Sequence, residues 1–144
     1  LDTHSYLADR VDLTIREVGS RSFSVAGYDV AAYETRHSMD CLAYRFGDDF
    51  GYSGDTAAFE GLADFFDGVD ALAHDCSFPD DVETSNHPTP TALGEALSGR
   101  DLGRLYRTRL YPHTGGREQE MRETLAEHVD CGVVVAEDGM QVGV

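Results

Sequence analysis

Lysine is missing altogether: all 11 basic residues of this 144-residue chain are arginines, set against 27 aspartates and glutamates for a formal charge of −16. A surface this acidic and free of lysine suits a protein kept hydrated in concentrated salt, where screening removes most of the self-repulsion. A halophile-like source is the expectation. The same charge argues against broad binding to nucleic acid or anionic lipid. Long apolar runs are also absent, so no segment reads as a membrane span or a signal peptide. Cysteine is scarce: Cys41, Cys76 and Cys131 are odd in number, far apart and without C-x-x-C spacing. They read as reduced core thiols in strands, which points to a cytoplasmic compartment. Repeats, low-complexity tracts and an interdomain linker are lacking as well.

What is present is an ordinary apolar fraction of 41%, enough for a core in one domain spanning residues 1–144. Val11, Leu13 and Ile15 alternate with polar neighbours in "VDLTIREV" (11–18), as in a half-buried strand. "SFSVAG", "DVAAYETR" (29–36) and "CLAYRF" (41–46) continue a β-meander. After Gly54 the period changes, and Phe59, Leu62, Ala63 and Phe66 mark one face of a helix over 57–66. Strand 69–78 follows, then a helix opened by Thr89 as N-cap and Pro90 at the first helical position. Strand 104–111, helix 117–129 and two closing strands, "CGVVVAED" and "GMQVGV", complete the chain. The predicted architecture is α/β (α+β), a mixed sheet backed by helices.

Three loops that follow strand ends carry groups suited to a metal: His37, Asp55 and His113. Imidazole and carboxylate donors from separated loops are the makings of a zinc or manganese site. Asp55, behind the glycine of "YSGDT", has a second reading, because it or Thr56 would equally serve as the cap of helix 57–66. Arg109 reads as an edge or surface residue, with Arg107 on the same face of its strand.

The stretch "YETRHSMDCLAYRFGDDFGYSGDTAAFEGLADFFDGVDALAHDCSF" resembles the C-terminal half of the metallo-β-lactamase superfamily, above all its ribonuclease Z-like and small phosphodiesterase-like branch. The resemblance implies half of an αββα sandwich, in which Asp55 bridges two metals and His37 ligates one. Asp75 of "AHDCSF" stands where that branch has glutamate, and His87 of "NHPTPTALGEAL" matches its H-x-T histidine. Together these two imply assistance to leaving-group protonation. The L-T-H-x-Y-P pattern meets "RTRLYPH", which puts Arg109 at a ligand position and leaves His113 four residues beyond.

The superfamily's H-x-H-x-D-H run is absent, and the chain begins at Leu1 without methionine. The expectation is therefore the C-terminal portion of a metal-dependent hydrolase of phosphodiesters or related esters, using zinc or manganese. As such a portion it would form a homodimer or associate with an N-terminal half. Two alternatives remain open, a degenerate non-catalytic domain with a pairing role and a ribonuclease Z-type tRNA 3′-processing endonuclease. In the degenerate case Asp55 is satisfied by Thr56, by backbone N–H groups or by Arg109.

Overall fold

Residues 16–109 and 111–143 are described by the computed structural model. Four antiparallel strands come first: β1 (Ser22–Val25), β2 (Tyr28–Glu34), β3 (Leu42–Phe46) and β4 (Phe50–Tyr52). Short turns join them, as antiparallel neighbours allow. From β4 onward each connection carries a helix, and the strands become parallel: α1 (Glu60–Phe66) leads to β5 (Val69–Asp75), α2 (Pro90–Leu97) to β6 (Leu102–Thr108), and α3 (Glu118–Ala126) to β7 (Gly132–Val135). Among the described residues the sheet runs in sequence order from β1 to β7. The meander and the mixed sheet expected from the sequence are therefore present.

Register separates the two faces of the sheet. On one face Arg45, Gly51, Leu72, Leu105 and Val133 form a row across β3 to β7. Leu62 and Phe66 of α1, Leu93 and Leu97 of α2, and Met121 and Leu125 of α3 close over this face in one buried cluster. Each such side chain contributes roughly 1.5–3 kcal/mol of transfer free energy, so this layer carries most of the stability. Gly94 lets α2 approach the end of α3, because a Cβ there would lie 2.6 Å from His128 Cβ. The opposite row is Ala32, Tyr44, Tyr52, Ala73, Tyr106 and Val134, aromatic and apolar across β2 to β7.

Several sequence expectations need correction. Strand 11–18 falls largely outside the described residues, and 16–18 are not in a strand. The helix after Gly54 begins at Glu60 with Phe59 as its N-cap residue, which makes no side-chain cap bond. Neither Asp55 nor Thr56 caps it. The strand expected at 104–111 ends at Thr108, because Arg109 turns into the left-handed region with φ of 64°. The helix expected at 117–129 spans Glu118–Ala126. "GMQVGV" forms no strand among its described residues. The cysteines flank strands rather than sit in them, and burial pushes the Cys76 thiol up to about 12. Thr89 does cap α2, accepting from Ala92 N at 3.4 Å, with Pro90 in the first turn.

Arg107 is fully buried, on the same face as Leu105 and beside His74 in the register of β5 and β6.

Candidate metal centre at the ends of strands 4 and 5

The turn after β4 is built by backbone demands. Ser53 N extends the parallel ladder by donating to Ala73 O at 3.0 Å. Gly54 then takes φ of 62°, and a Cβ there would sit 2.8 Å from Leu42 O, so glycine is required twice over. The two residues that follow are stitched to the end of β2. Thr35 Oγ1 donates to Asp55 O at 2.8 Å, Arg36 N donates to Thr56 Oγ1 at 3.2 Å, and Ala57 N donates to Arg36 O at 2.8 Å. Asp55 is thus held by its backbone and needs no helix to position it. This answers the capping alternative: the turn is fixed by β2 and β5, and the helix starts four residues later.

Asp75, the last residue of β5, is fully buried and heavily bonded. Its backbone N donates to Ser53 Oγ at 2.8 Å. Ser77 Oγ donates to Asp75 Oδ1, while Thr56 N (3.3 Å) and His87 Nδ1 (2.6 Å) converge on Asp75 Oδ2. A carboxyl group that accepts from three donors has little capacity left for anything else. The bond to Asp75 places a proton on His87 Nδ1, which fixes the tautomer and leaves Nε2 as the free nitrogen. His87 is also walled by rings: His37 at 5.1 Å, Phe78 at 5.8 Å and Tyr111 at 5.8 Å between centroids.

Asp55 differs from Asp75 in one respect. Its Oδ1 is buried and has no hydrogen-bond partner among the described residues, while its Oδ2 is in an ion pair with Arg109 Nη2. Asp55, Asp75 and His87 each offer one ligand atom, and these lie within 4.8 Å of one another. An unpartnered buried carboxylate oxygen next to an imidazole is a donor set that fits a divalent cation. His37 is not among those three. Its Nδ1 accepts from Met39 N at 3.4 Å, and its ring meets His87 edge-on. The backbone of His113 lies in the 3₁₀ turn Pro112–Thr114, and its side chain is outside the described residues.

Comparison with solved structures shows which architecture this is. The chain superimposes on the metallo-β-lactamase fold protein YhfI from Bacillus subtilis with a TM-score of 0.79, at 18% identity over 96% of this chain and 60% of that one. The chain has the metallo-β-lactamase fold. A diphosphatase from the PhnP family matches with a TM-score of 0.68 and 17% identity, covering 99% of this chain and 53% of that one. An isothiocyanate hydrolase from Delia radicum gut bacteria matches at 0.64 and 13%, with 100% and 64% covered. This metallo-β-lactamase-fold chain therefore spans between about half and two-thirds of the length of each of these structures. No protein-family model matches the sequence, and no curated protein does.

Some parts of the site escaped the sequence reading. Ser53, Thr56 and Ser77 supply the bonds that fix Asp75, and only their closeness along the chain to Asp55 and Asp75 hinted at it. Arg107 had a clearer signal, since alternation in β6 puts it on the face of Leu105. Among the described residues, no helix is long and apolar enough to cross a membrane.

Proposed function

We propose that this chain is the C-terminal portion of a metal-dependent hydrolase that cleaves phosphodiesters or related esters. The observation that carries the reading is the buried, unpartnered Asp55 Oδ1 beside the hydrogen-bonded Asp75 and His87. Asp55 would hold zinc or manganese, with His37 and His113 as further donors. The remaining ligands would come from residues outside this chain. When bound, such a metal supplies a water of lowered pKa and polarises the scissile group. The diphosphatase and the isothiocyanate hydrolase of the same fold support hydrolysis as the reaction class.

Asp75 and His87 have the second role. Asp75, already accepting from three donors, would orient His87 in preference to holding the cation. His87, as an imidazolium whose Nδ1–H is held by Asp75, would give its Nε2 proton to the departing oxygen and be left neutral. Proton transfer of this kind contributes roughly 10²–10⁴-fold. Hydrolysis of p-nitrophenyl and alkyl phosphodiesters by the metal-supplemented protein, completed by its N-terminal half, tests this. His87→Gln is expected to slow the alkyl substrate far more than the p-nitrophenyl one, whose leaving group needs no proton. Equal slowing of both contradicts the acid role, and no turnover of any ester contradicts the hydrolase reading.

A non-catalytic pairing domain is the second reading, and the Arg109–Asp55 ion pair is what favours it, since a cation already sits on the carboxylate. The half-buried Tyr44 and Tyr52 of the opposite row would lie on its contact face, in a homodimer or with an N-terminal half. A measured turnover with metal bound at Asp55 removes this reading.

A further inference from the structure

We infer that Arg109 is a built-in competitor for the metal position, its guanidinium holding Asp55 until a divalent cation displaces it. The inference rests on the reading of Asp55 as a metal ligand. Three observations carry it. First, Arg109 reaches Asp55 across 54 residues of chain and engages Oδ2 alone, leaving the buried Oδ1 without a partner among the described residues. The carboxylate is therefore only half satisfied by the guanidinium, whereas a divalent ion would take up the unused oxygen as well.

Second, Arg109 adopts φ of 64° directly after the last residue of β6. A long side chain in the left-handed region is held there against its own preference, so the surroundings over-determine the position. That conformation ends the strand and coincides with the side chain's engagement of Asp55. Third, the two partners are unequally exposed, with the Arg109 side chain 40% accessible and that of Asp55 18%. Asp55 stays where the turn fixes it, and the guanidinium can withdraw to water without being buried. The two cations repel at contact distance, so metal entry and the ion pair exclude each other.

Zinc titration by calorimetry, using the whole chain in molar potassium chloride, tests this with no recourse to turnover. Arg109→Ala and Arg109→Gly are expected to bind zinc about tenfold more tightly than the native chain, and equally to each other. Arg109→Lys, which keeps the charge, is expected to stay near the native affinity. Asp55→Asn combined with Arg109→Ala is expected to lose the gain. Equal affinity of the native chain and Arg109→Ala overturns the competition while leaving Asp55 a ligand. A gain for glycine alone overturns it too, since backbone strain rather than charge would be the cause. A gain for lysine equal to that for alanine overturns the charge argument. Absence of zinc binding by every variant overturns both the inference and the metal reading beneath it.

Discussion

Asp75 and His87, 12 residues apart in sequence, meet in a 2.6 Å hydrogen bond between side chains that are both buried. The bond ties the end of β5 to the loop that opens α2, so it joins two elements as well as two groups. Removing Asp75 would strand three donors, from Thr56, Ser77 and His87, away from water. Each unmet buried donor costs about 1–3 kcal/mol. Asp75→Ala is therefore expected to destabilise the fold by about 3 kcal/mol or more in urea unfolding. Asp75→Asn keeps one acceptor oxygen and should cost clearly less. Equal losses for both variants would show that shape, not hydrogen bonding, sets the price.

Arg107 leads to the opposite expectation. Its guanidinium is fully buried, and among the described residues none of its three nitrogens has a hydrogen-bond partner. Burial lowers its pKa, while Glu118 nearby partly supports the charge. A buried charge without partners is a net cost, and well-packed apolar replacements of buried ions can add about 1–4 kcal/mol. Arg107→Met is expected to raise the urea midpoint without changing the slope. A lower midpoint would mean that the guanidinium contributes more than its desolvation takes away.

His74 sets a pH dependence. Burial lowers its pKa from 6.5, outweighing the support from the Asp75 backbone and charge. The unfolded chain therefore binds a proton at a pH where the folded chain does not. Stability is full above pH 6.5 and is lost as pH falls from there through the lower folded pKa. His74→Phe keeps a ring against Phe66 and should flatten the melting temperature between about pH 6.5 and 5, whatever its effect at neutral pH. A slope unchanged by the substitution would assign the acid loss to other groups.

Salt should stabilise the whole chain. With a formal charge of −16 and no lysine, repulsion is unscreened in dilute buffer, where the Debye length is about 30 Å at 0.01 M. The melting temperature is expected to rise from dilute to molar potassium chloride. A flat response would separate the composition from any benefit in salt.

Much of the fold was legible because its signals are local. Alternation marked β2 and β3, a helical period marked α1, and Thr89–Pro90 marked the start of α2. The site was legible only in part. Asp55, Asp75 and His87 could be named from motif resemblance, but their meeting depends on parallel register between strands distant in sequence. Capping of α1 by Asp55 or Thr56 was a fair local inference that tertiary bonding overrode, since Thr56 bonds to Arg36 and Asp75 instead. The burial of Arg107 ran against every preference of its side chain, and only strand alternation hinted at it. The left-handed turn at Arg109 had no sequence signal at all, because arginine carries none for that conformation.

Zinc-edge X-ray absorption of the zinc-loaded chain tests most directly whether Asp55 holds a metal. The predicted spectrum contains only nitrogen and oxygen scatterers at about 2.0–2.2 Å, and Asp55→Asn removes the bound zinc. A sulfur shell near 2.3 Å, or a spectrum unchanged by Asp55→Asn, would place the metal elsewhere and contradict the account.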